Sequence, residues 1–186
     1  LFNFIYLLPF SERRALIEST YFSPEIFKKD IYLKDIKKYL HKKFNLKNYK
    51  IKYEEFGVLP MNKLPDNSKK LVYKIGTAGN WTRLSTGYTL QNAFMYSKQI
   101  VDCLKGKTPI KIREKYVFKF LDNIFCNFIL MHPDDVKIFF HNFFFKNSLL
   151  KIVKFLNYKA GLIEIFKIIL SLPKIKLIQT FFSYKK

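Results

Sequence analysis

Apolar and polar residues change their spacing several times along the chain, and each change marks an element. Residues 1–10 are almost wholly apolar and aromatic, residues 15–22 alternate, and Ser11-Glu12-Arg13-Arg14 lies between them as a polar turn. This pattern predicts a β-hairpin over about 1–22. Period two on its second strand puts Leu16, Glu18, Thr20 and Phe22 on one face and Ala15, Ile17, Ser19 and Tyr21 on the other. Glu18 is thereby a carboxylate among apolar and aromatic neighbours.

Ser23 as N-cap and Pro24 at the first helical position predict a helix over about 24–44, with Leu33, Ile36, Leu40 and Phe44 as its apolar stripe. Alternation returns over 49–56, a predicted strand with Tyr49, Ile51, Tyr53 and Glu55 on one face and Lys50, Lys52 and Glu54 on the other. Gly57 and Pro60 end it, and residues 62–70 form a polar turn. A further short strand is expected at 71–75, then a glycine-rich loop, then a helix over 89–104 with Leu90, Ala93, Phe94, Ser97, Ile100, Val101 and Leu104 as its stripe and Gly106 as its C-terminal cap. Pro109 opens another predicted helix, with Tyr116, Phe120, Leu121, Ile124 and Phe128 at helical spacing, and His132-Pro133-Asp134-Asp135 breaks it. In the last third, the apolar tract 160–172 is interrupted by Glu164 and Lys167 and stopped by Pro173. It falls short of the ~20 apolar residues a spanning helix requires, so a membrane-surface helix and an apolar substrate tunnel both stay open.

The loop between the 71–75 strand and the 89–104 helix carries the most specific chemistry. Gly76, Gly79 and Gly87 allow close backbone approach and positive φ, and a helix beginning just afterwards adds the positive end of its dipole. Neither a Walker-type Gly-Lys-Ser/Thr ending nor the Gly-x-Gly-x-x-Gly dinucleotide fingerprint is present. By itself the pattern fits either a ligand loop or an ordinary tight connection.

A net charge of +20 on 186 residues suggests an anionic partner, a nucleic acid or a lipid surface. Only Arg13, Arg14, Arg83 and Arg113 are arginine, and the lysines are dispersed, which argues against nucleic-acid reading. A solvated lysine-rich surface and attraction to acidic headgroups remain. Cys103 and Cys126 fall in predicted helices as small buried apolar groups, no disulfide framework is indicated, and His41, His132 and His141 lack the spacing of metal ligands.

Three segments, in order, resemble the lycopene cyclase family of flavoproteins. Ile75-Gly76-Thr77-Ala78-Gly79 followed by Ser85-Thr86-Gly87-Tyr88 is similar to a segment in the family's C-terminal half; Ala15–Ser23 resembles its acidic Ile-Glu-x-Thr strand motif, and Glu55-Phe56-Gly57-Val58-Leu59-Pro60-Met61 its Glu-x-Gly-x-Ile/Leu-Pro-Met segment. Leu84 stands where the family often has proline, and Asn80 where it has a second loop glycine. The resemblance implies an α/β flavoprotein of two domains binding FAD and NAD(P), of which this chain is the C-terminal part and α+β in itself. Residues 1–70 would hold substrate-domain strands and a helix, 71–106 the flavin-contacting strand, loop and helix, and 107–186 a helical region, with a Rossmann-type N-terminal portion lying outside the chain.

The same resemblance implies redox-neutral, acid-catalysed cyclisation of lycopene to β-ionone rings, with reduced FAD stabilising the cation and NAD(P)H as reductant. It makes Glu18 the acid or cation-stabilising carboxylate and Glu55 the second candidate; Gly76, Thr77, Ala78, Gly79, Ser85, Thr86, Gly87 and Tyr88 would face the cofactor. Without the resemblance, Glu18 reads more readily as an edge-strand surface carboxylate paired with Arg13 or Arg14. Lycopene or another linear carotenoid and the cytoplasmic face of the inner membrane are the implied partners. A flavin-dependent isoprenoid reductase or monooxygenase, and a non-catalytic basic membrane- or nucleic-acid-binding module, are the alternatives.

Overall fold

The computed structural model describes residues 1–65, 72–106 and 115–184. Within them the chain is mixed α+β, with two antiparallel strands and seven α-helices, and it divides into two units, Leu1–Val58 and Leu59–Lys186.

The first unit is built on the hairpin. Strands β1 (Phe2–Ser11) and β2 (Arg14–Phe22) pair with Phe2 opposite Phe22, Tyr6 opposite Glu18 and Leu8 opposite Leu16. The register shifts between Pro9 and Ser11, where proline has no N–H to give the ladder. Helix α1 (Lys29–Phe44) packs on β2. Tyr21 makes the contact, its hydroxyl bonded to Asp35 and its ring 5.0 Å from Phe27 and 5.4 Å from Tyr32. The Asp35 bond and burial push the Tyr21 hydroxyl up to about 12. Asn45, in the left-handed region at φ 52°, ends the helix: its N–H bonds His41 O and the next N–H reaches back to Leu40 O. One hairpin face is thus covered. On the other, Phe4, Tyr6, Leu8 and Leu16 stay 36–41% exposed.

Two expectations in this unit are corrected. The helix begins at Lys29, not Pro24, because the Ser23 hydroxyl accepts the Glu25 N–H at 3.0 Å and closes a local turn, while Phe27 is drawn into the Tyr21–Tyr32 cluster. Residues 49–56 form no strand, since a strand exists only where another satisfies its backbone groups. That segment is held along α1 by side chains instead, through Phe56 against Tyr32 at 5.5 Å and Glu54 bonded to Lys29 at 2.8 Å.

The described part of the second unit is helical: α2 (Leu90–Leu104), α3 (Tyr116–Met131), α4 (Val136–Phe145), α5 (Leu149–Leu156), α6 (Leu162–Ser171) and α7 (Lys174–Ser183). The break at 132–135 is one 3-10 turn with Pro133 at its start. Phe128, Ile129, Val136, Ile168 and Thr180 form the fully buried centre. Phenylalanine rings carry the contacts outward, as in Phe125–Phe139 at 5.0 Å, Phe118–Phe155 at 5.6 Å and Phe143–Phe155 at 5.8 Å.

Three further expectations change here. No strand forms at 72–75, and Leu71 lies outside the described residues, as do 109–114 of the helix expected from Pro109. On α2 the buried side chains are Asn92 and Tyr96, while Leu90 and Phe94 of the predicted stripe are 71% and 74% exposed. On α3 Ile124 and Phe128 of the expected stripe are buried, together with Phe118, Asp122, Cys126 and Ile129, while Tyr116 is left outside. Both helices bury the face carrying polar groups that the loop needs. The glycine-rich loop belongs to the same unit as these helices. Among the described residues no helix is long and apolar enough to cross a membrane.

Candidate functional site

The segment 72–89 is irregular backbone fastened at several points. Gly76–Gly79 forms a 3-10 turn, closed by Gly79 N–H to Ile75 O at 3.2 Å, Asn80 N–H to Thr77 O at 3.0 Å and Trp81 N–H to Gly76 O at 3.0 Å. Gly76 has φ +58° with nothing within 4 Å of where a Cβ would stand, whereas a Cβ on Gly79 would collide with the Lys74 carbonyl and come within 3.0 Å of Trp81 Nε1. Gly79→Ala should therefore cost about 1–3 kcal/mol through overpacking against backbone, and Gly76→Ala about 1–2 kcal/mol through φ alone. Thermal denaturation of the two variants checks this; a silent Gly79→Ala would mean that the turn is not closed as described.

Asn80, left-handed at φ 58°, fastens the loop through its side chain. Its Oδ1 accepts the Leu64 N–H at 2.7 Å and its Nδ2 donates to Leu64 O at 3.0 Å. Hydroxyls join the loop's ends: Thr82 Oγ1 lies 3.1 Å from Thr77 Oγ1 and 2.8 Å from Thr89 Oγ1. Thr86 Oγ1 accepts the Tyr88 N–H at 3.3 Å, and Ser85 bonds Asp122. Most of these hydroxyls hold the loop itself. Ala78 and Tyr88 project as exposed side chains.

Arg83 is the centre of this fastening and is only 4% exposed. Its Nε donates to Asp122 Oδ1 and Oδ2 at 3.1 and 3.2 Å and its Nη2 to Oδ1 at 3.0 Å. Nη1 donates to the carbonyls of Phe155 and Leu156 at 3.0 and 2.8 Å, satisfying the C-terminal end of α5. The guanidinium lies 4.5 Å from the Tyr158 ring centroid. Burial raises the Asp122 carboxyl above its ordinary range, although Arg83 and Ser85 pull it down. One turn along α3, the Cys126 thiol, pushed up to about 12 by burial, donates to Leu84 O at 3.7 Å. Asn92 on α2 donates to Trp81 O at 2.6 Å. A cleft of about 130 Å³ opens between loop, α2 and α3, lined by Asn80, Arg83, Asn92, Tyr96, Asp122 and Tyr158 among others.

The two carboxylates assigned to chemistry lie in the first unit. Glu18 sits on the uncovered hairpin face opposite Tyr6, exposed, with Oε1 accepting the Thr20 hydroxyl at 2.8 Å. Glu55, also exposed, accepts the Tyr53 hydroxyl at 3.1 Å. The loop residues Gly76–Gly79 and Ser85–Tyr88 come together in the second unit.

A family model described as "Lycopene cyclase protein" matches residues 1–181. The chain belongs to the lycopene cyclase family. No curated protein and no solved structure matches it. For a lycopene cyclase family member, carotenoid cyclisation is the activity that membership supports and a carotenoid the substrate it suggests. Sequence reasoning assigned no role to Arg83, Asp122, Asn92 or Trp81 of this cyclase-family chain. Two signals pointed to the ion pair: an arginine inside the loop of a lysine-dominated chain, and an acid, Asp122, in the apolar run 120–130.

Proposed function

We propose that this chain supplies the acid-bearing and flavin-closing portion of a lycopene β-cyclase, which converts the linear ends of lycopene to β-ionone rings without net redox change. The observation that carries the reading is the family match across residues 1–181. In this reading the whole enzyme is a two-domain flavoprotein, peripheral to the cytoplasmic face of the inner membrane where lycopene dissolves, and residues 1–70, 71–106 and 107–186 serve as substrate, flavin-contacting and helical regions.

Cyclisation starts by protonating a terminal double bond, so the acid must be neutral near physiological pH. Glu18 suits this role through its surroundings. An apolar chain laid over Phe4, Tyr6, Leu8 and Leu16 would cover the carboxyl and exclude water from it, the setting a proton donor to an alkene needs. The Thr20 hydroxyl, donating to Oε1, leaves Oε2 as the oxygen that carries the proton. The Tyr6 ring beside it offers an electron-rich face to the cation. Glu55 is the second carboxylate, positioned by Tyr53, for removal of the final proton or support of the first.

Gly76, Thr77, Ala78 and Gly79, with Ser85, Thr86, Gly87 and Tyr88, form the flavin contact in this reading, and the open flank of Gly76 supports it, because a planar ring edge can reach the turn's backbone there. When bound, reduced FAD, kept so by NAD(P)H, would supply the electron density that stabilises a cationic intermediate. The test is to give the full-length protein lycopene without oxygen and with reduced nicotinamide in catalytic amount. Many cyclised ends per nicotinamide consumed are expected. Consumption in step with product would replace the cyclase by a flavin-dependent reductase or monooxygenase.

A further inference from the structure

Helix α6 has two apolar faces. Ile165 and Ile168 face the core, whereas Leu162, Ile163, Phe166, Ile169 and Leu170, at i, i+1, i+4, i+7 and i+8, form a separate outward stripe. Leu162 and Ile163 are each 73% exposed and Phe166 59%. The polar residues avoid this stripe. Glu164, two positions from Leu162 and so on the far side of the helix, is committed to Lys154 at 2.8 Å and to the Gly161 N–H at 3.0 Å. Lys167 borders the stripe, Lys159 precedes the helix, and Lys174 and Lys176 follow it. Across residues 136–184 the chain has eight lysines and one acid, Glu164.

We propose that the outward face of α6 is the surface by which this protein lies on an anionic lipid bilayer, with Phe166 and its apolar neighbours in the acyl boundary and the adjoining lysines on the headgroups. The proposal rests on the peripheral-membrane part of the reading above and names the element responsible. Charge selects the occupant. A protein partner for an apolar stripe need not be anionic, but a lysine-rimmed stripe from which the only acid is turned away and neutralised matches acidic headgroups. Helix α2 provides the contrast: Leu90, Phe94, Val101 and Leu104 are also exposed at helical spacing, but an acid, Asp102, accompanies Lys98 and Lys105 there. At ten residues α6 is about 15 Å long, which suits a helix lying in the interface plane and not one crossing it.

The experiment is co-sedimentation of the full chain with phosphatidylcholine vesicles, with or without an equal share of phosphatidylglycerol. Wild type should bind the mixed vesicles at least about ten-fold better than phosphatidylcholine alone, and lose that preference in high salt. Phe166→Glu combined with Leu170→Glu should lower binding to mixed vesicles by roughly ten-fold or more with the circular dichroism spectrum unchanged, since both side chains already face solvent. Phe94→Glu on α2 should leave it within about two-fold. Equal losses from the α6 and α2 variants, no loss from the α6 variant, or no preference for anionic vesicles would each overturn the proposal; so would a fall in sedimentation mass of the α6 variant, which would make a second copy the occupant. Cyclisation of lycopene dissolved in detergent micelles scores the enzymatic reading separately. It should proceed alike in wild type and the α6 variant, and wild type inactive there but binding anionic vesicles would sink the cyclase and leave the lipid face standing.

Discussion

Arg83→Ala is expected to destabilise the second unit by about 3–5 kcal/mol, the cost of leaving a buried carboxylate without its partner. For a unit of this size that corresponds to a fall of roughly 10–20 °C in thermal midpoint. The cost arises in three places at once: Asp122 keeps its burial and loses its cation, the carbonyls of Phe155 and Leu156 lose their donor, and the space against Tyr158 empties. Arg83→Lys should recover little, because a single ammonium cannot hold a carboxylate on one side and two carbonyls on the other.

The pH dependence of the variant has a definite sign. Burial already raises the folded-state pKa of Asp122 and Arg83 opposes it, so removing Arg83 raises it further. A group whose pKa is higher folded than unfolded contributes stability that is complete below the unfolded pKa and lost as pH rises through the folded one. The deficit in Arg83→Ala should therefore shrink in acid, where Asp122 is neutral, and grow toward neutrality. A double replacement of Arg83 and Asp122 by apolar residues should regain part of the loss, although the Leu156 carbonyl loses the Arg83 donor and the Phe155 carbonyl keeps only the Tyr158 N–H. Thermal melts across pH check all three, and a single Arg83→Ala deficit below about 1 kcal/mol would show that the pair is not desolvated as described.

Glu18→Gln should lower the turnover of lycopene by about 10²–10⁴-fold, the usual worth of a positioned general acid, while KM and thermal midpoint change little. The side chain is exposed in the free protein and its described partner is the Thr20 hydroxyl, which an amide oxygen can also accept. Stability is therefore a clean control for this variant. Wild-type turnover by Glu18→Gln would remove the assignment, and if Glu55→Gln then proved inactive, the acid would be Glu55.

The hairpin was legible because a polar tetrapeptide between an apolar and an alternating run leaves few other options, and its register put Glu18 on the face that alternation indicated. The strand expected at 49–56 failed for the opposite reason: alternation describes which side a residue faces, but pairing depends on a neighbour that local pattern does not specify. The stripe expected on α2 is largely exposed, while that on α3 is buried at Ile124 and Phe128 but not at Tyr116 or Phe120. On both helices the inward positions carry Asn92, Asp122 and Cys126, which serve the loop's carbonyls and its arginine. The loop's glycines and hydroxyls were visible as a motif, but its attachment was not, since Arg83 meets groups 39 and 73 residues away.

Those separations also order the assembly of the second unit. The Asn80 amide closes onto Leu64 across only 16 residues. Closure entropy rises with the logarithm of loop length, so the 73-residue closure from Arg83 to Leu156 costs about 1.3 kcal/mol more than the Asn80 clip. Of these three attachments the clip can form earliest, Asp122 follows, and the α5 carbonyls come last. The Asn80 side chain thus gives the folding chain a local contact around which the longer ones are gathered.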